Sequence, residues 1–235
     1  MLQKIIYHYG QEFHSLRRLE LKKIKKLLNA KKGETILDLG CGKGQFCKYL
    51  NSKRVKTYGI DPLKKEILLA KKIQPKKIKF QIASGEKLPF INRKFDKVVS
   101  VCVLEHTNDD KKVLKEVNRV LKKNGTFVLS VDTLNNKHIS EKYKKYHFKE
   151  YHVNYLYNKE KIIKIMNDNK FKVISVKYMF NSYISTILFR IGSFFHFRAP
   201  YILLFPILYP ILSIDDYIRT KKNNGIIMVI KAKKI

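Results

Sequence analysis

The run Ile36-Leu37-Asp38-Leu39-Gly40-Cys41-Gly42-Lys43-Gly44-Gln45-Phe46 constrains the fold more than any other stretch of the chain. Thr35-Ile36-Leu37 starts a short apolar strand, three glycines follow in five residues, and a helix is predicted from about Gln45 to Asn51. A strand that turns through glycines straight into a helix opens a parallel βαβ unit, since parallel strands need a crossover, and that crossover is right-handed. The glycines permit a tight turn and let a ligand approach the backbone closely. The helix start supplies amide donors.

The alternation continues downstream. Val55 to Ile60 reads as a second strand, Pro62 sits where a first-turn proline is tolerated, and a helix runs to about Lys72. Residues 78–82 alternate like a third strand. Phe95 to Val103 is an apolar run suited to a central strand buried on both faces. Asn108-Asp109-Asp110 can cap a helix to about Lys123, Asn124-Gly125 ends it, and Thr126 to Val131 is a fifth strand. An amphipathic helix over 12–29, carrying Leu16, Leu19, Ile24, Leu27 and Leu28, precedes the whole series. Past Asp132 the rhythm changes to a polar stretch, 133–157, rich in Lys, Tyr and His. A helix over 159–169, a strand over 173–180 and a last strand over 225–233 follow. The 235 residues suit one α/β domain with an elaboration, and no repeat or linker marks a second domain.

A glycine loop alone fits a dinucleotide enzyme as well. Three details point elsewhere. Asp38, two residues before Gly40, would repel a pyrophosphate but suits a ligand with an amino group and a sulfonium. Asp61 ends the second strand, where a carboxylate can accept hydrogen bonds from both ribose hydroxyls; as an alternative it caps the helix that follows. The spacing is GxGxG, without the third glycine of the dinucleotide fingerprint.

Five segments in order then carry a family resemblance. ILDLGCGKGQF (36–46), GIDP (59–62), ASGEKLPF (83–90), FDKVVSVCVLEH (95–106) and VLKEVNRVLKKNGTFVLSV (113–131) resemble the successive motifs of class I S-adenosylmethionine-dependent methyltransferases, of the UbiE-like small-molecule type. The resemblance covers roughly residues 33–131. It implies a Rossmann-like α/β fold: a mostly parallel seven-stranded sheet, helices on both faces and an antiparallel last strand. It implies S-adenosyl-L-methionine as cofactor. Asp38, Gly40, Cys41, Gly42 and Gly44 would surround its methionine part and Asp61 its ribose. Ser84, Gly85 and Glu86 would lie beside the adenine, with Ser84 where many members carry Asp. Val101, Cys102 and Val103 would pass near the reacting methyl group.

Methyl transfer is an in-line displacement at a sulfonium carbon, so the protein must align the nucleophile and, for some acceptors, remove its proton. Glu105 and His106 follow the fourth strand, at the edge where ligands bind in open α/β sheets. His106 is a candidate base; the Glu-His pair equally suits a structural turn. His138, His147 and His152 lie beside Tyr143, Tyr146, Tyr151 and Tyr155, in a region that in the family often reaches over the substrate. Side chains snorkelling at the surface are the competing reading. No histidine or cysteine shows metal-ligand spacing, so no metal is expected. Cys41 reads as a small packed side chain, and Cys47 and Cys102 as core.

Residues 183–214, YISTILFRIGSFFHFRAPYILLFPILYPILSI, match no motif. The uncharged stretch from Ala199 to Ile214 is short of the ~20 residues that span a bilayer, and Pro200, Pro206 and Pro210 would break or kink a long helix. Residues 181–222 are expected to be a helical insertion or cap between the last two strands. It either packs over the active site or meets lipid through Phe194, Phe195, Phe197, Tyr201, Phe205 and Tyr209.

The charge enters here. Fifty Lys and Arg against 19 Asp and Glu give +31. An anionic membrane surface or nucleic acid could account for it, as could a solvated lysine surface, since the lysines run along the whole chain. RNA amino-group methyltransferases often carry Asn/Asp-Pro-Pro-aromatic after the fourth strand; Ser100-Val101-Cys102-Val103 stands there instead. The expected acceptor is therefore a small molecule or lipid-type compound. RNA methylation, or a membrane-associated protein that keeps the fold without catalysis, are the alternatives. The odd cysteine count and the absence of a recognisable leader suggest a reducing, cytoplasmic setting, with peripheral membrane contact as a further expectation.

Overall fold

The computed structural model describes residues 15–194, 205–219 and 224–235. In chain order the elements are α1 (Ser15–Leu28), β1 (Thr35–Leu39), α2 (Gln45–Ser52), β2 (Lys56–Asp61), α3 (Lys64–Ile73), β3 (Lys79–Ile82) and β4 (Phe95–Val101). After a 3₁₀ turn at Leu104–His106 come α4 (Asp110–Val120), β5 (Leu121–Asn135), α5 (Glu141–Tyr151), α6 (Lys159–Asp168), β6 (Phe171–Met179), α7 (Tyr183–Phe194), α8 (Phe205–Arg219) and β7 (Gly225–Lys234).

The strands form one seven-stranded sheet in the order β3-β2-β1-β4-β5-β7-β6. Strands β1 to β5 pair in parallel, and β7 runs antiparallel to both β5 and β6. The sheet reverses its winding between β1 and β4, the switch point where open α/β sheets bind ligands.

Period-two alternation divides the strand side chains between two cores. Leu37 and Leu39 of β1, Val98 of β4 and Phe127, Leu129 and Val131 of β5 face Val113, Leu114 and Val117 of α4 and Ile162 and Met166 of α6. Ile36, Val99 and Val128 face the other way, onto Leu16 and Ile24 of α1, Phe46 and Leu50 of α2 and Leu212 of α8. Each fully buried aliphatic side chain contributes about 1.5–3 kcal/mol.

Two boundaries differ from the sequence expectation. Helix α4 stops at Val120, not near Lys123, because Leu121 leaves helical geometry (ψ 141°) and pairs with Phe95. Asn124, at φ 59°, turns the chain inside a long β5 instead of ending the helix. Pro62 precedes α3, whose N-cap is Leu63. The polar stretch after β5 contains the regular helix α5, capped by Ser140, whose hydroxyl accepts from the Tyr143 amide at 3.2 Å.

Between β6 and β7 in the chain stand α7 and α8. Helix α8 continues through Pro210 and joins α1 through the ion pair Lys23–Asp216 at 2.9 Å. Arg18 lies 5.8 Å from the ring centroid of Tyr209. The expected interface residues Phe195, Phe197 and Tyr201, and Pro200, lie outside the described residues, as do the side chains of Phe194 and Phe205. No helix among the described residues is long and apolar enough to cross a membrane.

Candidate active site

The glycine loop leaves β1 at the carboxyl edge and is tied at once to the neighbouring strand. The amides of Gly40 and Cys41 both donate to the Ile60 carbonyl, at 2.9 and 2.8 Å. Gly40 has φ +73°, and a Cβ there would collide with Val103 just past β4. Gly42, at φ +50°, meets nothing within 4 Å where its Cβ would stand. One glycine is thus required by packing and the other leaves open space beside the loop. Gly44 is the left-handed N-cap of α2. In β2, Gly59 makes room for the sulfurs of Cys41 and Cys47, which a Cβ would crowd at 2.8 Å each.

Asp61 serves two backbone groups. Its Oδ2 accepts from the Gly42 amide at 3.0 Å and its Oδ1 from the Leu63 amide at 2.9 Å. The second bond is a local turn contact and not a helix cap, since α3 has Leu63 as its N-cap and no side-chain cap bond; the first locks the glycine loop to β2. Each oxygen keeps a further lone pair for a ligand hydroxyl.

Asp38 is 2% exposed, and its Oδ2 accepts from the Cys47 thiol at 3.2 Å. Burial pushes its carboxyl up to about 7; the thiol bond opposes this, and the like charge of Asp61 adds to it. A cation beside these two carboxylates would relieve that cost, and a pyrophosphate would raise it. The donor set therefore fits the ammonium and sulfonium of S-adenosylmethionine, with the open space at Gly42 as its cradle.

The segment after β3 is built around its own contacts. The Ser84 hydroxyl donates to Glu86, and Glu86 Oε1 accepts the amides of Asn108 and Asp109 at 2.9 and 3.3 Å. These bonds lower the Glu86 pKa, the Ser84 contact contributing most. Gly85 packs against Leu39 and Val113. Val101 ends β4, half-buried.

Beyond β4 the chain takes a strained step: Cys102 sits at φ +49°, its amide held by Ser130 through the carbonyl (3.2 Å) and the hydroxyl (3.1 Å). Glu105 is fully buried; its Oε1 accepts the Asp132 amide at 3.0 Å, and Oε2 has no partner among the described residues. Burial, and then the charge of Asp132, hold its carboxyl well above the usual range. His106 points the other way. It is exposed, with Nδ1 3.3 Å from the His152 carbonyl oxygen. The structure thus separates the Glu105 and His106 side chains and gathers Glu105 with Asp132.

Several participants have no signal in the motif set. Asp132 Oδ2 lies 2.9 Å from Nε2 of His147, which is 4% exposed rather than snorkelling. Arg17 of α1 binds Glu20 at 2.8 Å and reaches the Cys102 sulfur at 3.5 Å, and the Cys102 thiol donates to Glu20 at 3.2 Å. Cys102, expected in the core, is therefore half-buried within a polar network. Glu20 shares its helix face with Leu16 and Ile24, an acidic residue in an apolar stripe, and that pattern could have flagged it. Ligand atoms of Cys102, Glu105 and Asp132 come within 4.8 Å of one another. The Arg17 guanidinium already supplies positive charge at the sulfur, so the group is an ion-pair network.

Comparison with known proteins agrees with the geometry. Residues 37–129 match the methyltransferase domain family. An uncharacterized protein of Methanocaldococcus jannaschii is 36% identical over 145 residues, covering 61% of this chain and 55% of its own. The ubiquinone biosynthesis O-methyltransferase of Pelagibacter ubique is 37% identical over 103 residues, 43% of this chain and 42% of its own. The chain thus spans about half the length of the curated relatives it matches. Among solved structures, Haemonchus contortus phosphoethanolamine N-methyltransferase 2 in complex with S-adenosyl-L-methionine superposes with a TM-score of 0.68 at 21% identity, over 92% of this chain and 52% of that one. The sheet order, the glycine loop and the family match together place residues 37–129 in the class I S-adenosylmethionine-dependent methyltransferase family.

Proposed function

We propose that the protein transfers a methyl group from S-adenosyl-L-methionine to a small-molecule or lipid-type acceptor. The observation that carries this reading is the pair of buried carboxylates, Asp38 and Asp61, flanking a glycine loop with open space at Gly42. The bound cofactor supplies an electrophilic methyl group on a positively charged sulfur. Asp38 and the backbone of Gly40, Cys41, Gly42 and Gly44 would hold its methionine part, and Asp61 its ribose. Ser84, Gly85 and Glu86 would border the adenine. Glu86 acts there chiefly by fixing the loop at Asn108, since its Oε1 is taken by backbone amides. Val101 and the strained step at Cys102 would line the path of the methyl group. Relatives named for ubiquinone biosynthesis and demethylmenaquinone methylation favour an acceptor of the quinone-precursor type. The test is transfer of labelled methyl from S-adenosylmethionine to a polyprenyl catechol and to demethylmenaquinol. Label in either product supports the reading, and none with either argues against this acceptor class.

A peripheral contact with an anionic membrane is supported by α8. Ile207, Ile211, Ile214 and Ile218 recur at helical spacing and are 43–70% exposed, while Leu212 on the opposite side is buried. An apolar stripe left exposed among the described residues, on a chain of net charge +31, suits insertion at a surface of anionic lipid. Flotation with phosphatidylglycerol vesicles should lift the protein, and an Ile211→Asp, Ile214→Asp variant should stay at the bottom. Equal flotation of both would overturn this contact.

A further inference from the structure

Beside the cofactor loop lies a second set of buried groups that holding the methyl donor does not use. Asp132 sits two residues beyond Ser130, the partner of Val101 at the end of β4. It is therefore on the same sheet edge as the glycine loop, two strands across with β4 between, and Val103, which packs on Gly40, belongs to the segment between them. His147 reaches Asp132 from α5. An ionised carboxylate accepts, so a neutral imidazole at this contact carries its hydrogen on Nε2, toward Asp132, and leaves a lone pair on Nδ1. That Nδ1 is buried and has no hydrogen-bond partner among the described residues, an arrangement that costs stability unless something else meets it. The same holds for Glu105 Oε2. The surroundings of the His147 ring are aromatic: Tyr151 at 4.8 Å, Phe189 at 5.9 Å and Tyr143 at 6.1 Å between centroids.

We propose that His147, oriented by Asp132, is the general base for an aromatic hydroxyl acceptor, a phenol or catechol whose oxygen approaches Nδ1. This rests on the methyltransferase reading above and names its substrate class. The step balances without a further reactant. The hydroxyl proton passes to Nδ1 as the oxygen bonds the methyl carbon. The carbon–sulfur bond breaks with its electron pair going to sulfur, leaving an aryl methyl ether and S-adenosylhomocysteine. The imidazolium then faces the Asp132 carboxylate, which stabilises it as in other His-carboxylate pairs. Burial raises the Glu105 carboxyl and so favours its protonated form, in which Oε2 would donate to a second ring oxygen. Among the described residues, the other charged or titratable groups around the pair are Cys102 just past β4, Arg17 and Glu20 of α1, and Tyr143 and Tyr151 of α5 itself, with Arg190 of α7 over the Tyr143 ring at 5.6 Å.

Nitrogen-15 spectra of histidine-labelled full-length protein test the assignment, with 3,4-dihydroxybenzoate as probe. The expected result is the Nε2–H tautomer for His147, an Nδ1 resonance that moves when the probe is added to the S-adenosylhomocysteine complex, and no such movement in Asp132→Asn. The Nδ1–H tautomer, or an Nδ1 resonance unmoved by saturating probe, overturns the proposal. Methyl transfer to the same probe supplies the second readout. His147→Gln should lose at least a hundredfold in kcat and the rising limb of the pH profile, with the Kd for S-adenosylhomocysteine within threefold of wild type. Near-wild-type kcat in His147→Gln removes the base role. Failure of the wild type to bind S-adenosylhomocysteine would instead remove the methyltransferase reading itself.

Discussion

Lowering the pH from 7 to 5.5 should weaken binding of S-adenosylhomocysteine roughly fifteenfold, through one side chain. Asp38 is buried at the end of β1 with a carboxyl pushed up to about 7, so about half of it is ionised at pH 7 and roughly 3% at pH 5.5. The ligand ammonium stays protonated over this interval, so the change in affinity tracks the fraction of Asp38 able to pair with it. The same displacement acts oppositely on stability. A carboxylate whose folded pKa is raised contributes stability that is complete below 3.8 and lost as pH rises through about 7. At about 1.4 kcal/mol for each pH unit, the loss reaches roughly 4 kcal/mol in the free protein. Asp38→Asn should therefore melt higher than wild type at pH 8 without ligand, by less than that amount because the amide is itself buried. It should bind S-adenosylhomocysteine at least tenfold more weakly at pH 7, with an affinity independent of pH. Isothermal titration and thermal melts at pH 5.5, 7 and 8 measure all three. A wild-type Kd that is flat between pH 5.5 and 7, or an Asp38→Asn protein that binds as wild type, would refute the reasoning.

Other outcomes follow from single contacts. Gly42→Ala places a methyl in the open space beside the loop at φ +50°. Differential scanning calorimetry should register only the ~1–2 kcal/mol cost of that conformation, while affinity for S-adenosylhomocysteine falls at least tenfold. Arg119 donates to both Glu116 oxygens (2.7 and 2.8 Å), to the carbonyls of Leu88 and Phe90 and to Asn92. A lysine cannot span that fork, so Arg119→Lys should lower stability by roughly 1–3 kcal/mol in urea melts. Tyr157→Phe deletes the buried bond from its hydroxyl to Asp110 at 2.9 Å and leaves that carboxylate short of a donor, an expected loss of about 1–3 kcal/mol by the same assay.

The placement of the glycine loop, Asp38 and Asp61 was legible in the sequence because it is local: a strand, a turn and a helix start impose it within a few residues. The parallel pairing of β1 to β5 followed from the alternation of elements, whereas the order of the strands in the sheet was not read from it. Glu105 was legible as a candidate, but its burial was not, because that depends on Asp132, 27 residues away, accepting its company. His147 and Asp132 are joined only when α5 folds back over β5, and nothing in the spacing of a Lys- and Tyr-rich helix announces which histidine turns inward. Cys102 and Arg17 meet across 85 residues, a contact that no periodicity encodes. The end of α4 was misjudged because Asn124-Gly125 is a strong stop signal that here turns the chain within a strand.

The central claim is that the Asp38–Gly42–Asp61 site takes S-adenosylmethionine rather than a dinucleotide. Parallel equilibrium titrations of the protein with S-adenosylhomocysteine and with NAD test it most directly. The account predicts saturable one-to-one binding of S-adenosylhomocysteine and none of NAD. No binding of S-adenosylhomocysteine at millimolar concentration, or tighter binding of NAD, would contradict it.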